Sequence, residues 1–182
     1  KMGSGFPGET KVIVIDCNKW YPMDQVLMSY GYGISVSLFQ MIHAYTIFTN
    51  NGCLLPVTFN KLGASDKIPC EQVISPETAA TMRSILATTT EEGTGKNARV
   101  EDYSVAGKTG TAQILDAAHY SNSKHIGSFV GFAPAINPRI IVAVMIDQPT
   151  VGMYYGAQTA APVFAKIVQP TLHLLGVKPD KQ

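Results

Sequence analysis

At 182 residues, 46% hydrophobic and only 15% charged, the chain has the apolar content of one folded domain and not of a disordered segment. A formal net charge of +1, with Lys and Arg scattered rather than clustered, excludes a general nucleic-acid footprint. No apolar run approaches the ~18 residues of a membrane span, and the opening Lys1-Met2-Gly3-Ser4-Gly5-Phe6-Pro7-Gly8 lacks the apolar stretch of a signal peptide.

A start at Lys1, ahead of Met2 in a Gly-rich loop, reads as the interior of a longer chain. Residues 1–21 read as an extended lead-in, with Val12-Ile13-Val14-Ile15 as a short strand. Met23 to Tyr30 suits a short helix ended by Gly31 and Gly33. Ser35 or Ser37 caps the next helix, whose stripe of Leu38, Met41, Ile42, Tyr45 and Phe48 stops at Asn50-Asn51-Gly52. His43 lies in this helix without a partner at ligand spacing, so a structural role is expected. Leu54–Phe59 and Cys70–Ile74 read as short strands around a polar loop.

Ser75-Pro76-Glu77 marks a helix start: a capping hydroxyl, proline at the first helical position and an acid at the positive end of the dipole. That helix runs to about Thr90 and breaks at Glu91-Glu92-Gly93-Thr94-Gly95. Three strands are predicted next, at Ser104–Leu115, His125–Phe132 and Arg139–Ile146. The last is apolar on both faces, which predicts a central strand covered on both sides. Ala135-Ile136-Asn137-Pro138 suits the link of an antiparallel hairpin. A final helix is expected over Thr159–Leu175, kinked at Pro170 and stopped by Gly176. The fold class is α+β, a small antiparallel sheet flanked by helices. Cys17, Cys53 and Cys70 are odd in number and without metal or C-x-x-C spacing, so three free thiols packed as small hydrophobes are expected.

Lys108-Thr109-Gly110-Thr111-Ala112 falls inside the first of the three strands. A Lys-Thr-Gly strand is one of three signatures of penicillin-recognising serine acyltransferases, beside Ser-x-x-Lys and Ser-x-Asn. The residue types suit the chemistry. Lysine places a fixed positive charge near a nucleophile and a substrate carboxylate. Threonine hydroxyls bond that carboxylate, Gly110 admits substrate close to the backbone, and the next N–H can face a developing oxyanion. The tripeptide alone is weak evidence.

The wider chain resembles class B penicillin-binding proteins, the division-type peptidoglycan transpeptidases. The resemblance rests on Gly3 to Glu9, Met28-Ser29-Tyr30-Gly31-Tyr32-Gly33, Gln40 to Asn50, Gly93-Thr94-Gly95, the Lys108 segment, Gly131-Phe132-Ala133-Pro134, Tyr154-Tyr155-Gly156 and Ala161-Pro162-Val163-Phe164. It implies that residues 1–182 form the C-terminal portion of a single transpeptidase domain. Lys108 then tunes the site, Thr109 and Thr111 bind the carboxylate of substrate or β-lactam, and the Thr111 N–H is half of the oxyanion hole. Tyr154 and Tyr155 match an aromatic pair near the cleft, with ordinary loop packing as the alternative. Gly93-Thr94-Gly95 matches a loop near the site, or is a plain turn.

The same resemblance places the nucleophilic serine and the Ser-x-Asn segment before Gly3. It therefore implies a fragment lacking the nucleophile helix and the N-terminal strands, inactive alone and with one sheet edge open. The single Ser-x-x-Lys present, Ser121-Asn122-Ser123-Lys124, is expected to be an accidental match in a hairpin turn. The implied reaction cross-links stem peptides ending in D-Ala-D-Ala, is blocked by β-lactams, and requires no metal or organic cofactor. Implied partners are a cell-wall polymerase and division proteins, on the periplasmic face of an inner membrane reached by an N-terminal anchor. A D,D-carboxypeptidase, a β-lactamase-like hydrolase and a non-catalytic penicillin-binding sensor are the competing readings.

Overall fold

In a computed structural model of the chain, the described residues are 4, 6–14, 16–63, 65–116, 119–150 and 152–181. The side chains of Cys17, Leu115, Asp116 and residues 119–122 are outside that description, as are Gly3, Gly5 and Ile15 of the predicted segments. The elements follow one another as β1 (Ile13–Val14), α1 (Pro22–Ser29), β2 (Ile34–Ser35), α2 (Leu38–Thr49), β3 (Cys53–Leu54), β4 (Glu71–Gln72), α3 (Pro76–Glu91), β5 (Ala106–Asp116), β6 (His119–Ala133), β7 (Ile140–Asp147) and α4 (Gly156–Leu174).

Local chemistry explains the helix starts. Ser37, not Ser35, caps α2: its Oγ accepts the Gln40 N–H at 3.2 Å while its own N–H donates to Gln40 Oε1 at 2.8 Å. The same Gln40 side chain donates to the Thr10 carbonyl at 2.9 Å, which ties the lead-in to α2. Ser75 caps α3 by accepting the Thr78 N–H at 3.2 Å, with Pro76 as its first residue. His43 has the structural part expected of it, with Nε2 lying 2.7 Å from the Leu55 carbonyl oxygen.

The predicted strands at Leu54–Phe59 and Cys70–Ile74 shrink to the two-residue pair β3–β4, with Cys53 opposite Gln72. That pairing overturns the expectation of free thiols. Cys53 and Cys70 are joined by a disulfide with Cα atoms 5.3 Å apart, inside the range such a bond needs. Irregular spacing in sequence carried no trace of it, because the strand pairing brings the two cysteines together.

β5, β6 and β7 form one antiparallel sheet in that order. Among the described residues β7 therefore stands at one end of this sheet, where the sequence predicted a central strand. Its two apolar faces reflect helices, not neighbouring strands: Val142, Val144 and Ile146 pack toward α4, and Ile141 packs with Tyr45 and Phe48 of α2. Coverage of the faces and pairing at the edges are separate properties, and only the first leaves an apolar signature. Among the described residues, β7 has no partner on its outer side. Ser121–Lys124 is also corrected: it lies within β6, not in a turn. No helix starts there, so the reading of an accidental match to Ser-x-x-Lys is unaffected.

The main core lies between the sheet and α4. Phe129 and Phe164 meet at 4.7 Å between ring centroids and are fully buried, with Val168 and Leu172 beneath them. A second cluster of Leu86, Ala106 and Phe132 joins the opposite face to α2 and α3. There Tyr45 meets the Phe132 ring at 6.5 Å, and burial pushes its hydroxyl pKa up to about 12. α4 begins three residues ahead of the predicted Thr159 and runs through both Pro162 and Pro170.

Candidate active site

β5 carries Lys108 to Thr111 along the edge of the sheet opposite β7. The direction of its backbone groups follows from α3. Thr89 Oγ1 donates to the Gly107 carbonyl and Thr90 Oγ1 to the Val105 carbonyl, so the odd-numbered residues of β5 face away from β6 at its start. The β5–β6 register is uninterrupted from Ala106 to Gln113. Alternation along an antiparallel strand therefore directs the backbone groups of Thr109 and Thr111 to the same outer edge. Past the end of α3 no described residue pairs with that edge, and the register turns the Thr111 N–H toward it.

Gly110 stands opposite Ser128 of β6, and a Cβ there would lie 2.4 Å from Ser128 Oγ. A side chain there would have to turn the Ser128 hydroxyl aside, a cross-strand contact that the tripeptide did not reveal. Lys108 is exposed, and its Nζ donates to the Thr109 carbonyl at 3.1 Å. Among the described residues no carboxylate pairs with it, so its charge is available to the open edge.

The hydroxyls flanking Gly110 have different partners. Thr111 Oγ1 accepts the N–H of Gly156, the first residue of α4, at 3.1 Å. Its own proton is thereby left to donate outward, beside the positive end of a 19-residue helix. Thr109 Oγ1 lies 2.9 Å from Thr94 Oγ1 and 3.5 Å from Lys108 Nζ.

Thr94 was only half legible in sequence, since its Gly-Thr-Gly segment also reads as a plain turn. It wraps the end of α3 so closely that a Cβ at Gly93 would come within 2.9 Å of the Thr89 carbonyl oxygen, and one at Gly95 within 3.1 Å. That tight wrap places the threonine between the two glycines over Thr109.

Tyr154 and Tyr155 immediately precede Gly156 and so stand at the Thr111 end of the strand. Their rings lie 4.4 Å apart and the Tyr154 hydroxyl donates to that of Tyr155 at 3.1 Å. This bond holds the Tyr154 pKa above the usual tyrosine value. His125 of β6 stacks on the other face of the pair, 4.1 Å from Tyr154 and nearly parallel at 22°. Nothing in the spacing of His125 signals that contact. Of the six expected residues, Lys108, Thr109, Gly110 and Thr111 therefore lie along β5, bonded or packed to Thr94, Ser128 and Gly156, while Tyr154 and Tyr155 precede Gly156 with Tyr154 stacked on His125 of β6. Among the described residues no cluster of His, Cys, Asp or Glu is arranged to hold a metal ion.

Comparison with known proteins gives a consistent picture. Residues 1–169 match the penicillin binding protein transpeptidase domain. The chain is 45% identical over 182 residues to the "Probable peptidoglycan D,D-transpeptidase PenA" of Neisseria flavescens, covering all of this chain and 45% of that protein. It is 38% identical over 191 residues to stage V sporulation protein D of Bacillus subtilis, of which it covers 30%. Among solved structures, the apo transpeptidase domain of Burkholderia pseudomallei penicillin-binding protein 3 superposes with a TM-score of 0.92 at 43% identity. That match covers 98% of this chain and 54% of the other. Penicillin-binding protein 3 of Mycobacterium tuberculosis, complexed with ampicillin, superposes with a TM-score of 0.86 at 29% identity over 100% of this chain and 44% of that one. The chain thus spans less than half the length of the curated relatives it matches, and it belongs to the penicillin-binding protein transpeptidase domain family.

Proposed function

We propose that this chain is the C-terminal portion of a serine-type peptidoglycan D,D-transpeptidase and supplies the wall of the active site that anchors substrate. The observation that carries the proposal is the open edge of β5, where Lys108, the Thr109 and Thr111 hydroxyls and the Thr111 N–H face one space. A serine from sequence preceding Lys1 attacks the carbonyl of the penultimate D-alanine of a donor stem peptide. The terminal D-alanine leaves, and an acceptor amine resolves the acyl-enzyme. Thr109 and Thr111 hold the donor carboxylate, Lys108 supplies positive charge, and the Thr111 N–H stabilises the developing oxyanion, a contribution of about 3 kcal/mol for such donors in other acyl-transfer enzymes. Tyr154 and Tyr155 pack against the ligand. A β-lactam carries the same carboxylate and is attacked in the same way.

The same proposal places the domain at the periplasmic face of an inner membrane, held by an N-terminal anchor and working with a cell-wall polymerase and division proteins. The Cys53–Cys70 disulfide supports an oxidising compartment. Among the described residues no helix is long and apolar enough to cross a membrane.

A fluorescent penicillin tests the proposal. Intact-mass analysis is expected to find no adduct on these 182 residues alone. The longer protein that carries them is expected to be acylated, and Lys108→Ala in that protein to be acylated at least about a hundredfold more slowly. An adduct on Ser121 of the short chain would overturn the proposal. Partition of the acyl-enzyme between water and an added D-amino acid separates a transpeptidase from a hydrolase.

A further inference from the structure

We infer that Thr94 is a positioning residue for ligand carboxylates, working through its hydrogen bond to Thr109. The inference rests on the transpeptidase reading and adds a residue to the same site.

Proton bookkeeping carries the inference. A hydroxyl has one proton to give and two lone pairs. Thr109 Oγ1 has two neighbours, Lys108 Nζ at 3.5 Å and Thr94 Oγ1 at 2.9 Å. Lys108 can only donate. If Thr94 also donates, both Thr109 lone pairs are engaged and the Thr109 proton faces the open edge. If Thr109 donates to Thr94 instead, the Thr94 proton is the free one. In either arrangement the pair presents one unspent O–H, and an arriving anion selects the arrangement that points it outward. Thr111, whose oxygen already accepts the Gly156 N–H, presents a second. A carboxylate at this edge therefore meets two hydroxyl donors, one of which Thr94 orients.

The geometry is fixed from both sides. The close approach of Gly93 and Gly95 to Thr89 holds the turn against α3, and Thr89 itself is bonded to β5 at Gly107. Beyond the turn, Asn97 Nδ2 donates to the Ala157 carbonyl at 2.8 Å and links it to the start of α4. Thr94 is thus set over Thr109 by backbone on either side, so its replacement removes a hydroxyl without releasing the turn.

The test uses the longer protein that carries this chain, with benzylpenicillin and its methyl ester as probes and second-order acylation constants as the readout. Thr94→Val is expected to lower the constant for the free acid about fivefold, as loss of the hydroxyl–hydroxyl bond that orients Thr109 predicts. The constant for the ester is expected to stay within about twofold, because the ester carries no negative charge for the oriented hydroxyl to meet. Thr94→Ser, which keeps the hydroxyl, is expected to restore the preference for the acid. Equal losses for acid and ester would show a merely structural role and overturn the inference, as would an unchanged acid-to-ester ratio. A wild-type protein that neither probe acylates overturns the transpeptidase reading and this inference with it.

Discussion

Residues 4–74 and residues 75–181 use apolar side chains in opposite ways. In the first region only Gln40 and Gly52 are buried among the described residues, while Ile13 is 70% exposed and Tyr21 76%. In the second, Phe129, Phe132, Phe164 and Leu172 are all 0% exposed. Both regions are rich in hydrophobic residues, so apolar content by itself does not make a core. The apolar side chains of the first region find few partners within these 182 residues, which cover 54% of the solved transpeptidase domain they match, whereas the second region carries its own cover. A ribbon of two-residue strands cannot bury a face, whereas strands of 8, 11 and 15 residues under a 19-residue helix can. The first region is held instead by the docking of α2 on the sheet and by one disulfide. The candidate site stands on the second region, on long elements braced by packing.

The largest effect expected within this comparison is from Phe164→Ala. It opens a cavity under the sheet and should cost about 4 kcal/mol, measured by denaturant unfolding. Phe6→Ala, at a ring that is 57% exposed in the first region, should cost under about 0.5 kcal/mol. Equal losses would break the contrast. The disulfide comes next. Cys53→Ser opens a loop of sequence separation 17 and should remove about 3 kcal/mol by chain entropy. Hydrogen exchange should then rise between residues 53 and 72 while the amides of β6 stay protected. Loss of protection in β6 would show that the two regions unfold as one.

A third effect is read at the seam. Tyr45 of α2 lies on Phe132, and burial pushes its hydroxyl pKa up to about 12, above the ordinary tyrosine value. A tyrosine whose folded pKa is raised stabilises the fold below its unfolded pKa and loses that contribution as pH climbs through the folded one. Roughly 2 to 3 kcal/mol should therefore disappear between about pH 10 and 12. Tyr45→Phe should abolish that part of the decline in an alkaline unfolding series. A variant that declines as steeply as the parent would show that α2 is not docked on the sheet.

Much of the architecture was legible in order along the chain. Ser75-Pro76-Glu77 marked α3 because capping chemistry is local, and the three strands followed from runs of apolar and β-branched residues. What eluded the sequence was relational. β7 read as central because a residue pattern records what covers its faces and is silent on what pairs with its edges. The cysteines read as free because disulfide partners are chosen by folding. Gly93-Thr94-Gly95 reads more readily as a plain turn, because the closeness of Thr94 to Thr109 depends on how α3 is pinned to β5.

The Lys108-Thr109-Gly110-Thr111 strand follows the same division. Its residue types, its strand and its family resemblance were determined by the sequence alone, since each depends on neighbours in the chain. Tertiary structure decided that no described residue pairs with its outer edge past α3, that the Ser128 hydroxyl stands against Gly110, and that Gly156 and Thr94 orient the two hydroxyls. These are contacts between residues 15 or more positions apart in the chain, and contacts of that kind depend on where packing brings the groups and leave no periodic trace in sequence.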